Sequence, residues 1–153
     1  MNENVLITGT SRGLGVYLAE KFISEGHNVL RHNGRDHFDI SDIDELTLLA
    51  NLAIEKKVSV LINNAAIGCP SINFEDYTIE QINHMIDVNL RAPILLSHIL
   101  VNQLNTIINI NSMVGLEIKK PRTIYSATKW GLRGFSNSLK EENKSLICCL
   151  ELN

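Results

Sequence analysis

The stretch Thr8-Gly9-Thr10-Ser11-Arg12-Gly13-Leu14-Gly15 constrains the fold of this 153-residue chain more than any other. It follows a short apolar run, residues 4–8. It opens a segment in which Leu14, Leu18 and Phe22, with Ala19 and Ile23, recur at helical spacing. Gly26 is well placed to stop that helix. A strand that turns through three glycines into a helix leaves backbone N–H groups and the positive end of the helix dipole facing outward, ready for a phosphate. The spacing Thr-Gly-x-x-x-Gly-x-Gly differs from the common G-x-G-x-x-G loop. A plain glycine-rich turn is therefore the competing reading.

The remainder continues the alternation of strand and helix. Residues 29–32 form a second strand that runs into Asn33-Gly34, and Phe38-Asp39-Ile40 a very short third. Ser41 can cap the next helix, with Asp44 three residues on, and Leu46, Leu49, Ala50 and Ala53 make its buried stripe. Residues 58–63 are an unbroken apolar run, as in a central parallel strand. Beyond a loop with Gly68 and Pro70, Thr78 and Gln81 spell a capping box that opens one long helix through Ile82, Met85, Ile86, Leu95, Leu96, Ile99 and Leu100. Residues 106–110 form a fifth strand, a helix beginning near Tyr125 runs through Leu132, Phe135 and Leu139, and residues 146–150 form a sixth strand. This pattern predicts a single α/β domain over residues 1–153. Its core is a Rossmann-like, doubly wound parallel sheet of about six strands in the order 3-2-1-4-5-6.

Charge and composition remove other classes. A net charge of −3 offers nothing to nucleic acid or an anionic membrane. No 18-residue apolar span or signal peptide is present, which makes the cytoplasm the expected compartment. Three cysteines, Cys69 and the adjacent Cys148 and Cys149, do not make a disulfide framework. The five histidines lack metal-ligand spacing; His32 and His37 flank a turn, Asn-Gly-Arg-Asp, so no metal site is expected.

Chemistry concentrates late in the chain. The fifth strand runs on toward a hydroxyl, Ser112, and thirteen positions later Tyr125 is followed at i+4 by Lys129. Residues so spaced on a helix share a face. An ammonium beside a phenol favours the phenolate, which makes a tyrosine usable as a general acid or base. Ser112 can hydrogen-bond the same substrate oxygen. An ordinary solvated Tyr–Lys pair shows the same spacing. Four residues after Asn89 stands Pro93, which has no N–H, so the carbonyl of Asn89 loses its helical donor and a kink is expected.

Taken together these residues resemble the short-chain dehydrogenase/reductases, in order and over the whole chain. Residues 8–15 look like that family's phosphate loop, and Asp39-Ile40 like its adenine contact. Asn63-Asn64-Ala65-Ala66 is similar to its Asn-Asn-Ala-Gly strand end, with Ala66 for glycine. Asn89, Ser112, Tyr125 and Lys129 match its four catalytic positions. The resemblance implies an NAD(P)-dependent oxidoreductase that moves hydride between a nicotinamide and a carbonyl or alcohol substrate. Tyr125 would transfer the proton, Ser112 would polarise the substrate oxygen, and Lys129 would hold the ribose while depressing the tyrosine pKa. A water on the carbonyl of Asn89 would complete the proton path. Where an acid at the end of the second strand would bind the ribose of NAD, this chain has Asn33, with Arg12 and Arg35 nearby, so NADP is expected and NAD is the second choice. The family runs to roughly 250 residues in one domain. The chain is therefore expected to be a form truncated after the sixth strand, without the last strand and lid helix. The alternative is a nucleotide-binding or interaction module without turnover. The long helices around residues 82–100 and 125–139 resemble the family's dimer contact, so a homo-oligomer is expected.

Overall fold

A computed structural model describes residues 2–34, 37–70, 72–115, 121–142 and 147–152. Five strands, β1 (Asn4–Thr8), β2 (Asn28–His32), β3 (Val60–Asn63), β4 (Thr106–Ser112) and β5 (Ile147–Leu152), form one sheet. All are parallel, in the order β2-β1-β3-β4-β5. The helices are α1 (Gly13–Ser24), α2 (Ile43–Glu55), α3 (Ile79–Ile86), α4 (Ala92–Leu100) and α5 (Thr123–Glu142). Among the described residues no helix is long and apolar enough to cross a membrane.

Strand alternation decides which side chain meets which layer. Val5, Ile7, Val60, Ile62 and Ile110 pack on one face with Ala19 of α1. Leu6, Leu61 and Ile107 point to the other and meet α2 and α4. The register places Leu6 beside Leu61, and Leu61 beside Ile107. The chain leaves β1 toward β2 and returns to the opposite side of β1 as β3. This reversal opens a crevice at the carboxyl ends of β1 and β3, where ligands of such sheets sit.

The expected class and order hold, and four local expectations do not. Residues 38–40 form no strand, because local turns use their polar groups. The N–H groups of His37 and Phe38 donate to the Gly34 carbonyl, and the Phe38 carbonyl accepts from the His32 ring. The cap of α2 is Asp42, whose carboxylate accepts from the N–H groups of Asp44 and Glu45, while Ser41 turns its hydroxyl to Asp39. The helix expected through residues 82–100 is three pieces: α3, a π turn over Asp87–Arg91, and α4. Pro93 has no N–H to give the Asn89 carbonyl, and just before it the Ala92 N–H reaches five residues back to Asp87. Finally, Leu14 and Ile23 of α1 are 37% and 47% exposed. Gly15 and Ala19 are the buried residues of α1, and Leu18 and Phe22 pack partly buried beside them against the sheet. The capping box at Thr78 and Gln81 forms as expected, with both reciprocal bonds present.

Candidate active site

A cleft of about 540 Å³ opens at the crevice between β1 and β3. One wall is the loop from Gly9 to Gly15, with Ser11, Arg12, Gly13 and Leu14 all exposed on it. The sequence dictates this shape. Gly9 has φ +72°, and a Cβ there would meet the Ala65 Cα at 2.7 Å; one on Gly15 would sit 2.1 Å from the Gly9 carbonyl oxygen. Only glycines let the loop fold back on itself and on the end of β3. The N-terminus of α1 is left uncapped: Arg12 makes no side-chain cap bond, and the first turn holds no acid. In α2 and α3 side chains fill that role. The free donors and dipole of α1 face the cleft.

The predicted residues divide between the cleft and its frame. Gly9, Ser11, Arg12, Gly13, Leu14, Gly15, Asp39, Ile40, Asn64, Ala65 and Ala66 line it. Thr8, Thr10 and Asn63 are buried and work as structure instead. The Thr8 hydroxyl oxygen accepts from the N–H groups of Asn64 and Ala65, and the Asn64 amide donates to the carbonyls of Thr8 and Gly9, which clamps the ends of β1 and β3 together. Thr10 donates its N–H to the His32 carbonyl, and its hydroxyl lies 2.7 Å from the exposed Asn33. Asn63 points away from the cleft: its amide donates to the Asn109 Oδ1 at 2.8 Å. Arg35 lies outside the described residues. The sequence reading missed His32, Gly34, Phe38, Ile67, His84 and Val88 in the lining. They follow no phosphate-loop pattern, and only a three-dimensional arrangement brings them there.

Of the four residues predicted to act on a substrate, Ser112 lies at the end of β4, Tyr125 and Lys129 in the first turns of α5, and Asn89 in the π turn before α4. Lys129 is 3% exposed; its Nζ donates to the Ile110 carbonyl at 3.0 Å and lies 5.8 Å from the centre of the Tyr125 ring. Helical spacing thus brings the pair together, and Tyr125 is half-buried above it. Ser112 ends β4, two residues beyond that carbonyl, and its Oγ accepts from the Val114 N–H. Asn89 sits within the π turn with its side chain fully committed. Its Oδ1 accepts from the Ile67 N–H at 2.7 Å, and its Nδ2 donates to the Ile67 carbonyl at 3.0 Å. This two-point clamp ties the helix to the loop after β3. A further contact at 3.4 Å joins Asn89 to Thr128 on α5. Gly131 allows the close approach of α5, since a Cβ there would lie 3.0 Å from Leu90.

Below the pair, α5 is fastened to the sheet by amides. Asn111 donates to the Lys129 carbonyl at 3.3 Å, and Asn109 donates to the Ser136 hydroxyl at 2.8 Å, seven residues further along α5. No group of three His, Cys, Asp or Glu side chains suited to a metal occurs among the described residues.

Residues 35–147 match the family model described as short chain dehydrogenase. A ketoacyl reductase from Nostoc sp. is 29% identical over 95% of this chain, and a short-chain type dehydrogenase/reductase from Sinorhizobium fredii is 31% identical over 90%. The chain spans 62% of the length of each of these relatives. Among solved structures, a 3-ketoacyl-(acyl-carrier-protein) reductase from Brucella melitensis, complexed with NADH, superposes with a TM-score of 0.87 at 25% identity. That match covers 99% of this chain and 74% of the other.

Proposed function

The chain belongs to the short-chain dehydrogenase family, and from that premise we propose that it is a nicotinamide-dependent oxidoreductase acting on a small carbonyl or alcohol substrate. The observation that carries this reading is the buried Lys129. A lysine 3% exposed loses hydration for its charge, and here it lies beneath a tyrosine on the next helical turn. A fold that accepts this cost has a use for the cation.

The residues present fit a dinucleotide. The uncapped start of α1 and the exposed backbone of residues 11–14 suit a pyrophosphate. Asp39 and Ile40, with Phe38, form the wall for an adenine, and Asn64, Ala65 and Ala66 the floor leading from it. NADP is the preferred cofactor and NAD the second choice. Position 33 offers an amide where a carboxylate would bind the ribose of NAD, and Arg12 places a cation at the mouth of the cleft for a 2′-phosphate. Arg35 belongs to the same proposal. The Brucella melitensis reductase complexed with NADH supports the nicotinamide class.

When bound, the nicotinamide supplies or accepts the hydride at C4. The protein's part is then positional and protonic. Tyr125 exchanges a proton with the substrate oxygen, and Ser112 donates a hydrogen bond to the same oxygen and orients it. Lys129 would hold the ribose hydroxyls of the bound cofactor. Asn89, through its clamp on Ile67, holds the wall opposite α5, and its backbone carbonyl anchors a water that passes the proton on. Self-association uses the groove of about 500 Å³ between α4 and α5, lined by Ile94, Leu95, Val101, Phe135 and Leu139. Because the chain spans 62% of its relatives, nucleotide binding without turnover is the second reading. Fluorescence titration with NADPH and NADH, followed by rate measurements over a panel of carbonyl substrates, separates the two.

A further inference from the structure

His32, the last residue of β2, is 1% exposed yet contributes to the lining of the cleft. Its two ring nitrogens hold opposite walls. Nε2 lies 2.7 Å from the Phe38 carbonyl, which can only accept, so Nε2 carries the proton. Nδ1 is then bare, and it accepts from the Gly9 N–H at 3.2 Å. The backbone of His32 adds to this junction, since its carbonyl accepts from the Thr10 N–H at 2.9 Å. Gly9 begins the phosphate-binding loop, and Phe38 begins the segment offered to the adenine. One imidazole therefore spans both ends of the nucleotide cleft.

We propose that His32 is a positioning residue for the dinucleotide, its neutral ring holding the Gly9 loop and the Phe38–Ile40 wall at the separation the nucleotide needs. The proposal rests on the reading of the cleft as a dinucleotide site. Only the neutral ring with a bare Nδ1 makes both bonds. A proton added at Nδ1 would confront the Gly9 N–H donor against donor, which removes one bond and repels the loop. Burial pushes the His32 pKa below its ordinary 6.5; the Phe38 carbonyl bond pulls it up, His37 pushes it down, and Asp39 pulls it up. Arg12, from the β1–α1 loop, and His84, from α3, are the other basic side chains that line the cleft. The folded value is depressed, so the stabilisation is complete above pH 6.5 and is lost as pH falls through the folded value.

Calorimetric titration of wild type, His32→Asn and His32→Phe with NADPH and with NADH, from about pH 5 to about pH 8, tests this. In wild type, affinity should be level above about pH 6.5 and fall about tenfold toward the acid end, the effect of one buried hydrogen bond lost. His32→Asn offers an Oδ1 where Nδ1 stood, so it should recover most of the neutral-pH affinity and lose the pH dependence. His32→Phe should bind about tenfold more weakly throughout. The 2′-phosphate of NADPH titrates near pH ~6, but alike in all three proteins. Profiles of the same shape in wild type and His32→Asn would overturn the proposal. A wild type that binds neither nucleotide at any pH would overturn the dinucleotide reading itself, and this proposal with it.

Discussion

Replacing Asn109 by alanine should be among the most damaging single changes to the sheet. Asn109 has no exposed surface; its Oδ1 accepts from Asn63 and its Nδ2 donates to Ser136, both at 2.8 Å. Truncation leaves the amide of Asn63, a residue 3% exposed, with one further contact among the described residues, to the Ser97 hydroxyl at 3.5 Å. The Oδ1 of Asn63 already lacks a partner among the described residues. Ser136 is less affected, because its hydroxyl also donates to the Leu132 carbonyl at 2.7 Å. An orphaned buried donor costs about 2 kcal/mol and a lost bond to a group with a second partner about 1, so the expected loss is about 3 kcal/mol. In a domain of this size that lowers the melting temperature by roughly 6–12 °C. Thermal and urea unfolding followed by circular dichroism would measure it, with Asn63→Ala and the double variant completing a cycle. The double loss should fall short of the sum of the single losses by about 1 kcal/mol, since the second truncation removes the orphan the first created. A drop under about 2 °C, or strict additivity, would refute the reasoning.

Three further outcomes follow from the geometry. Gly15→Ala places a methyl 2.1 Å from the Gly9 carbonyl and 2.7 Å from the Asn64 amide, so it should cost at least about 2 kcal/mol and abolish NADPH binding; unaltered melting and binding would exclude the close packing of the loop. Arg12→Ala should weaken NADPH at least about fivefold more than NADH, since only NADPH carries the extra phosphate; equal losses in paired titrations would take Arg12 out of the selection. Phe135→Glu puts a charge into the α4–α5 groove and should shift the chain toward monomer in analytical ultracentrifugation; an unchanged distribution would remove that face as the contact.

Five of the expected strands were legible in the sequence because each face of the sheet imposes a two-residue period or an unbroken apolar run; the sixth, residues 38–40, is too short to carry such a pattern and forms turns instead. The buried stripe Leu46, Leu49, Ala50 and Ala53 was legible for the same reason on a helix, and all four are buried. On helix α1 the periodicity was legible in part: Leu18, Ala19 and Phe22 pack against the sheet, while Leu14 and Ile23 stay exposed and Gly15, too small to weigh in a hydrophobic pattern, is buried by close approach. The break at Pro93 could be read from the missing N–H; its form, a π turn that leaves Asn89 clamped to Ile67, depends on a loop distant in sequence. Asn63 looks like a site residue in the motif and is a core residue in the fold, since strand alternation turns it toward Asn109. His32 carries no signature in the sequence, since it belongs to no metal-ligand spacing and to no phosphate-loop pattern. Its two partners, Gly9 and Phe38, are joined only by folding.

The proposed chemistry depends on Tyr125 as the proton-transferring group above a buried Lys129. The measurement that reaches it most directly is the steady-state rate of NADPH-dependent carbonyl reduction by wild type and by Tyr125→Phe, with the NADPH dissociation constant determined for both. Removing one hydroxyl should lower kcat by roughly 10²–10⁴ and leave the dissociation constant within about twofold. Equal rates in the two proteins, or a wild type that binds NADPH and reduces no carbonyl in the panel, would contradict it.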